Sequence, residues 1–273
     1  MKIKALALGL IVGTMALAGC GGSGSEGGGK ISVVGSTTVA EPMEKLAGEY
    51  KAKVADANIE VQGNGSSAGI KAASDGTAQL GMSSRELSEE EKGLGLTETV
   101  IAHDGIAVVV NTVNGVSDLS KAQIKDIYEG KIANWSEVGG NDAPIVVVTR
   151  EAGSGTRGAF EEILGLVSSD GASTIAPTAL VGEGTGSIMA TVASKENAIG
   201  YISLGYMDET VKPVSIEGVI PTNEAVSKGE YTISRPLLLL SSDKTTEEAK
   251  AFVDYIMGEE GQSIMGENYI AVK

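Results

Sequence analysis

Residues 149–160 read TREAGSGTRGAF and join a strand-like segment to a helical pattern that runs from about Thr156 to Leu164. Glycine and serine fill the turn between them, as is common where a strand passes directly into a helix. The first turn of a helix has unpaired N–H groups and about half a unit of positive charge, so it attracts anions. Arg150 stands just before the turn. The stretch therefore predicts a strand–turn–helix junction suited to an oxyanion.

Two further junctions repeat this chemistry. Residues 35–38 read GSTT before a helical pattern that starts at Val39, and residues 63–67 read GNGSS before one that starts at Ala68. Each serine or threonine taken alone is explained equally well as a helix N-cap, which stabilises a helix by about 1 kcal/mol. Three such junctions in one chain favour a shared oxyanion site, because the loops that follow parallel strands emerge at one edge of the sheet.

The rest of the chain continues the alternation of strands and helices. Strand-like segments are expected at 31–34, 59–62, 80–83, 105–110, 145–149, 199–202 and 233–240, and helical ones at 39–53, 68–74, 120–128, 156–164, 187–194 and 246–257. Ser120 is a natural cap for its helix, and Pro42 is expected in the first turn of another. This order predicts an α/β fold with largely parallel sheets covered by helices.

Composition and charge exclude several classes of protein. The 273 residues carry a formal charge of −15, which argues against nucleic-acid binding, since that requires clustered Lys and Arg. A single Cys and a single His provide neither a disulfide framework nor a zinc cluster. A hydrophobic fraction of 42% is typical of a globular protein with a substantial core.

The amino terminus has the pattern of an export signal. Two lysines precede an apolar stretch that ends in Leu-Ala-Gly-Cys at residues 17–20, which matches the lipobox of bacterial lipoprotein signals. That resemblance implies a lipoprotein signal peptide over residues 1–19 and a lipid on Cys20. The alternative, a transmembrane anchor, would need about 20 apolar residues, and this run is shorter. Residues 20–30, which include GGSGSEGGG, are expected to form a flexible tether.

Competing motifs are weaker. Gly63 and Gly65 imitate part of a dinucleotide fingerprint but follow the second predicted strand rather than the first, and no P-loop sequence occurs. An exported phosphatase or other hydrolase that uses Ser154 or Ser66 as nucleophile remains open. It would need a base near the serine, and the sequence offers only His103, the single histidine, or carboxylates.

Several stretches resemble one known family, the phosphate-binding proteins of bacterial high-affinity phosphate ABC importers. The matching stretches are GSTTVAEP (35–42), GNGSSAGI (63–70), GMSSREL (81–87), LSKAQIKDIYEGKIANWSEVGG (119–140), TREAGSGTRGAF (149–160), AIGYISLGY (198–206) and ISRPLLLL (233–240). The resemblance implies a two-lobed periplasmic-binding-protein fold of type II, with the ligand in the cleft between lobes. Lobe one would comprise residues 31–110 and 206–273, and lobe two residues 111–205.

The resemblance also implies which residues hold phosphate. Carried over position by position, they are Thr38, the backbone of Val39, Ser66, Arg150, Ser154, Gly155 and Thr156. Ser36 and Thr37 are expected either to add donors or to shape the loop. Arg150 would pair with phosphate oxygens as a planar charged fork.

One position departs from the family pattern. Well-described relatives have an aspartate that accepts a proton from phosphate, and the corresponding residue here is Ser84. A carboxylate there would reject sulfate, which has no proton to offer. Asp104 and Glu151 are the candidates for a replacement acceptor, although Glu151 has the alternative role of orienting Arg150. Arg85 is either a further ligand or a structural arginine.

The sequence as a whole predicts an extracytoplasmic lipoprotein, anchored to the outer face of the bacterial cell membrane, that binds inorganic phosphate and delivers it to an ABC importer permease. It is expected to be a monomer and not an enzyme, with no cofactor, metal or nucleic acid. The alternatives are the hydrolase above and a binding protein for another tetrahedral oxyanion, sulfate or molybdate.

Overall fold

The computed structural model describes residues 29–273. The predicted signal peptide, Cys20 and nearly all of the predicted tether lie outside the described residues. The strands are β1 (Lys30–Gly35), β2 (Asn58–Gly63), β3 (Leu80–Ser83), β4 (Thr97–Asn111), β5 (Asp118–Leu119), β6 (Val146–Arg150), β7 (Leu180–Gly182), β8 (Ala198–Ser203), β9 (Val211–Pro213), β10 (Ser215–Ile216), β11 (Ser234–Ser241) and β12 (Ile270–Ala271).

The helices pack on both sides of these strands. They are α1 (Thr37–Lys53), α2 (Ser66–Asp75), α3 (Glu89–Lys92), α4 (Lys121–Tyr128), α5 (Gly155–Leu164), α6 (Gly184–Ser194), α7 (Asn223–Ser227), α8 (Glu247–Ile256) and α9 (Glu259–Met265), with short 3₁₀ turns at Trp135–Val138 and Leu204–Tyr206. The predicted cap of α4 is confirmed, since the Ser120 hydroxyl accepts the Gln123 N–H at 3.1 Å. None of the helices in this part of the chain is long and apolar enough to cross a membrane.

One sheet connects the two halves of the molecule, in the order β2-β1-β3-β11-β4-β8-β6-β7, with β9 and β12 also paired to β4. The α/β prediction is confirmed, but the expectation of largely parallel strands is only partly right. Parallel pairing holds for β1 with β2 and β3, and for β6 with β7 and β8. Between these groups, β11 and β4 run antiparallel to their neighbours, because the 15-residue β4 crosses from one half to the other and β11 returns beside it.

Each half has its own hydrophobic core. In the first lobe, α1, α8 and α9 cover the sheet, and residues such as Val33, Met43 and Phe252 form a buried cluster. In the second lobe, Phe160 stacks on Tyr201 with ring centroids 3.9 Å apart inside a separate buried cluster. Separate clusters joined by shared strands give a two-lobed molecule, and the starts of α1, α2 and α5 meet between the lobes.

The membership of the two buried clusters indicates at which residues the chain passes from one lobe to the other. Ile106 and Val110 of β4 are buried in the second cluster, and so are Tyr231 and Ile233. The sequence placed residues 106–110 and 206–233 in lobe one. The packing favours crossing points near residues 104–105 and 233–234, and we propose these as the lobe limits.

Candidate functional site

The first junction places a buried serine at the end of β1. The Ser36 hydroxyl caps α1 by accepting the Thr38 N–H at 3.2 Å, and the Ser36 carbonyl accepts the Val39 N–H at 3.2 Å. Gly35 has φ +142°, and a Cβ there would lie 2.2 Å from the Met82 carbonyl oxygen, so only glycine fits the turn. Ser36 thus caps the start of α1, and Gly35 allows the chain to pass close to β3.

Two tyrosines hold the start of α1. The helix begins two residues earlier than expected, so Pro42 lies beyond the first turn and has no N–H for the Thr38 carbonyl four residues back. The Tyr269 hydroxyl donates to that carbonyl at 3.0 Å, and the Tyr206 hydroxyl donates to the Thr37 carbonyl at 3.0 Å. The threonine hydroxyls are therefore carried by a helix start fixed from two sides.

The second and third junctions meet face to face. The Ser67 N–H at the start of α2 donates to the Gly153 carbonyl at 3.1 Å, which links the two lobes. Gly155 begins α5, and a Cβ on it would lie 2.1 Å from Ser66 Oγ and 2.6 Å from Ser84 Oγ. The two helix starts touch because glycine stands at this contact.

Hydroxyl groups from all three junctions, together with Ser84 after β3, form one buried cluster, the hydroxyl cluster, which consists of Ser36, Thr38, Ser66, Ser84 and Thr156. Thr38 Oγ1 and Thr156 Oγ1 share a hydrogen bond of 3.2 Å, Ser36 donates to Ser84 Oγ at 2.9 Å, and Ser66 and Ser84 share a hydrogen bond of 3.4 Å. All five residues are at most 2% exposed. Hydroxyls both donate and accept hydrogen bonds, so such a cluster suits a compact oxyanion.

Arg150, only 1% exposed, places a positive charge beside Thr37, the chain neighbour of Thr38 in this cluster. Its Nε and Nη2 donate to both carboxylate oxygens of Glu151 at 2.8 and 2.7 Å, and Nη2 also donates to Thr37 Oγ1 of the other lobe at 3.1 Å. Partial burial opposes ionisation of Glu151, but the hydrogen bond and charge of Arg150 hold the pKa of Glu151 below its ordinary value. These contacts favour the alternative in which Glu151 orients Arg150, and its role as an acceptor stays a prediction.

Asp104 forms a buried ion pair with Arg235, a residue the sequence analysis missed. Arg235 donates from Nε and Nη2 to Asp104 Oδ2 at 3.2 and 2.9 Å, and Nη2 also donates to Thr38 Oγ1 at 3.3 Å. Burial raises the pKa of Asp104 and lowers that of Arg235, while their contact opposes both shifts. Oδ2 of Asp104 is thus already bound by Arg235, and both carboxylate oxygens of Glu151 are bound by Arg150.

Arg85 is held by groups other than the hydroxyl cluster. Its Nη1 and Nη2 donate to the two Glu91 carboxylate oxygens at 2.6 and 2.8 Å, and it also donates to the Glu86 carbonyl and to Ser67 Oγ. These contacts favour the structural alternative for Arg85. Its role as a ligand stays a prediction.

The remaining predicted residues lie at the helix starts. Ser154 caps α5 by accepting the Arg157 N–H at 3.2 Å, and Val39 is fully buried in the core beneath α1. The structure therefore brings most of the predicted residues to the meeting point of α1, α2 and α5. Among residues 29–273, no His, Cys, Asp and Glu side chains are grouped as a metal site would require.

Comparison with known proteins places this architecture in a class. Residues 22–260 match the family model described as the PBP superfamily domain. The chain is similar in structure to a putative phosphate ABC transporter substrate-binding protein from Clostridium perfringens, solved with bound phosphate, with 47% identity, a TM-score of 0.86 and coverage of 90% of this chain and 100% of that one. These matches define a two-lobed substrate-binding protein.

Two further relatives narrow the class. An ABC-type phosphate transport receptor from Vibrio cholerae is 40% identical, with a TM-score of 0.76 over 88% of this chain and 99% of that one. The phosphate-binding protein PstS of Bacillus subtilis is 33% identical over 89% of this chain and 81% of its own length. The chain belongs to the PstS family of phosphate-binding proteins, as the motifs predicted.

Proposed function

We propose that this protein captures inorganic phosphate outside the cytoplasm and delivers it to the permease of an ABC importer. The observation that carries the proposal is the hydroxyl cluster, which joins both lobes. The buried Arg235 donates to Thr38 of this cluster, and the buried Arg150 donates to the neighbouring Thr37. A small oxyanion at this point would contact hydroxyls of both lobes at once. It would therefore stabilise their closed arrangement.

The proposed ligands combine charge, hydroxyls and helix starts. They are Ser36, Thr37, Thr38, the Val39 backbone, Ser66, Ser84, Arg150, Ser154, Gly155 and Thr156. Arg150 supplies the charge, and the first turns of α1, α2 and α5 supply N–H groups. The Val39 N–H, which donates to the Ser36 carbonyl in this structure, would exchange that contact for the anion. The chain's overall charge of −15 does not oppose this, because these contacts are local.

Recognition of the phosphate proton is assigned to a hydroxyl. Both Glu151 oxygens and Oδ2 of Asp104 are bound by arginines, and Oδ1 of Asp104 is buried without a hydrogen-bond partner in the described part of the chain. Ser84, by contrast, bonds to both Ser36 and Ser66 in the hydroxyl cluster. A serine oxygen accepts a proton donor but carries no charge that would repel sulfate. We therefore expect preference for phosphate over sulfate to be weaker here than at a site with a carboxylate in this position.

Isothermal titration calorimetry with a panel of anions tests the proposal. The chain from residue 21 onwards would be titrated with phosphate, sulfate and molybdate at one pH and ionic strength. We expect one-to-one phosphate binding that is lost in Arg150→Ala. Heat from sulfate or molybdate with none from phosphate would show that the assigned ligand is wrong.

The hydrolase alternative is tested separately. Ser66 Oγ accepts the Ser84 N–H at 3.1 Å and Ser154 Oγ accepts the Arg157 N–H, and within residues 29–273 neither hydroxyl bonds to a histidine or carboxylate. A serine nucleophile needs such a base. Release of phosphate from an aryl phosphate ester by the purified protein, abolished in Ser154→Ala, would contradict the assignment as a binding protein only.

We further propose that the protein is a monomer anchored to the outer face of the cell membrane by a lipid on Cys20. Mass spectrometry of the protein purified from bacterial membranes would show a lipid-modified Cys20 as the new amino terminus. The variant Cys20→Ser should be released from the membrane fraction. Membrane retention of that variant would refute the anchor.

A further inference from the structure

A second buried arginine adjoins the candidate phosphate site and has no role in it so far. Arg235 lies on β11 and is 3% exposed, and Asp104 beside it on β4 is fully buried. Leucines fill much of the same strand, so an ion pair at this place is costly unless it serves a particular contact. Besides its bonds to Asp104, Arg235 donates a hydrogen bond from Nη2 to Thr38 Oγ1, 3.3 Å long.

The direction of that hydrogen bond matters. A guanidinium group can only donate, so Thr38 Oγ1 must accept from Arg235. The proton of the Thr38 hydroxyl then points away from Arg235 and is available to Thr156 Oγ1 at 3.2 Å, a bond in which either hydroxyl can be the donor, or to an oxyanion in its place. Arg235 therefore occupies one acceptor position of Thr38 Oγ1 and favours donation by the Thr38 hydroxyl on the side where the two lobes meet.

Asp104 fixes the arginine that does this. It accepts from Nε and Nη2 of Arg235, so the plane of the guanidinium is held and Nη2 remains directed at Thr38. Nη1 of Arg235 is buried and has no hydrogen-bond partner in the described part of the chain, so donor capacity remains beside the site. The Arg235 guanidinium also adds a positive charge close to that of Arg150. Burial lowers the pKa of Arg235, and the charge of Arg150 lowers it as well.

The geometry points to Arg235 as a positioning residue for phosphate binding, held by Asp104 and acting through the hydroxyl of Thr38. This inference rests on the proposed function. It gives Asp104 a different role from the one expected from the sequence. Asp104 aligns the Arg235 guanidinium instead of accepting the phosphate proton. In the sequence, Arg235 lies 197 positions from Thr38 and 131 positions from Asp104.

A double-mutant cycle in calorimetry tests this role. Arg235→Gln alone would leave Asp104 buried and unpaired, so the paired variant Asp104→Asn/Arg235→Gln is used instead. The paired variant and Thr38→Val are each expected to weaken phosphate binding by about tenfold. The triple variant should bind no more weakly than the poorer of the two, because both changes remove the same oriented hydroxyl. Multiplied losses would overturn the inference.

A conservative variant and a control complete the test. Arg235→Lys keeps a charged donor and should bind phosphate better than the paired variant. Equal loss in the two, with thermal midpoints like the wild type, would also overturn the inference. Lys53→Gln/Glu260→Gln removes an exposed ion pair of 3.0 Å and should leave affinity unchanged. If the wild type binds no phosphate, the proposed function fails. If it binds but the Arg235 variants match it, only this inference fails.

Discussion

Thr38 Oγ1 and Thr156 Oγ1 lie 3.2 Å apart, although 118 positions separate them in the chain and they belong to different lobes. Each stands in the first turn of a helix, α1 or α5, and both side chains are buried. The contact exists only while the lobes are together, so a ligand that bonds to both hydroxyls couples its own binding to closure.

Removal of the Thr156 hydroxyl should weaken phosphate binding. Thr156→Val keeps the shape of the side chain, and the loss of one hydrogen bond to a charged ligand predicts a fall in affinity of about tenfold or more. Thr156→Ser is the matched control, because it retains the hydroxyl, and should stay within about threefold of the wild type. Equal affinities for Thr156→Val and the wild type in calorimetry would remove Thr156 from the ligand set.

A methyl group at Gly155 should keep the lobes apart. A Cβ there would lie 2.1 Å from the hydroxyl oxygen of Ser66, which is itself fully buried. Gly155→Ala is therefore expected to lower phosphate affinity by about tenfold or more, and to reduce the rise in Tm that phosphate produces. Gly48→Ala in α1, where a Cβ meets nothing within 4 Å, is the control and should bind normally. Normal binding by Gly155→Ala would contradict this close contact.

Glu151 should make stability depend on pH in the acid range. Its pKa in the folded protein is below the ordinary value of 4.5, so its ionised form stabilises the fold above that pH. That contribution is lost as the pH falls through the folded-state pKa, when the carboxyl group takes up a proton. Glu151→Gln should therefore lower Tm at pH 7, and the difference from the wild type should shrink as the pH is lowered past 4 in steps down to about 3. A constant difference would exclude this ion pair as the cause.

A carboxylate at position 84 should increase selectivity. Ser84→Asp would place an acceptor beside the hydroxyls of Ser36 and Ser66, where it can take the proton of phosphate but repels sulfate. We expect the ratio of phosphate to sulfate affinity to rise by about tenfold or more, as measured by calorimetry with each anion. Ser84→Asn has a similar size without the charge and should leave the ratio unchanged. An equal loss for both anions in Ser84→Asp would show that a carboxylate is not tolerated there.

The helix starts were predictable because their signal is local. Glycine, serine and threonine at residues 35–38, 63–67 and 153–156 marked each junction, and the structure brings all three together at the hydroxyl cluster. β1 and β2 are parallel and carry the first two junctions at neighbouring carboxyl ends. Three antiparallel pairings separate them from β6 in the sheet, so β6 runs in the opposite direction and brings the third junction towards the first two from the second lobe. The three junctions converge as expected, but the expectation that they share one edge of a parallel sheet is wrong for the third.

Arg235 and the course of β4 could not be predicted in the same way. Arg235 stands in the apolar run ISRPLLLL, which indicates a buried strand, and its partner Asp104 is 131 positions away. Only residues 105–110 of β4 are apolar enough to be recognised, whereas the strand runs from Thr97 to Asn111. Its first half carries polar side chains and is held by pairing with β11 and β12. Pairing between distant segments leaves no signature in a short window of sequence.

The return of β11 beside β3 and β4 sets the order in which the molecule can fold. The first lobe begins with β1 at the amino terminus, yet its core includes Phe252 and Met265, close to the carboxyl end. During synthesis, the first strands of this lobe therefore cannot complete their core until the carboxyl-terminal segment has been made. The second lobe takes its core from residues 106–233 and is complete sooner. Slow closure of the first core over this large sequence separation is expected to be the rate-limiting event in refolding.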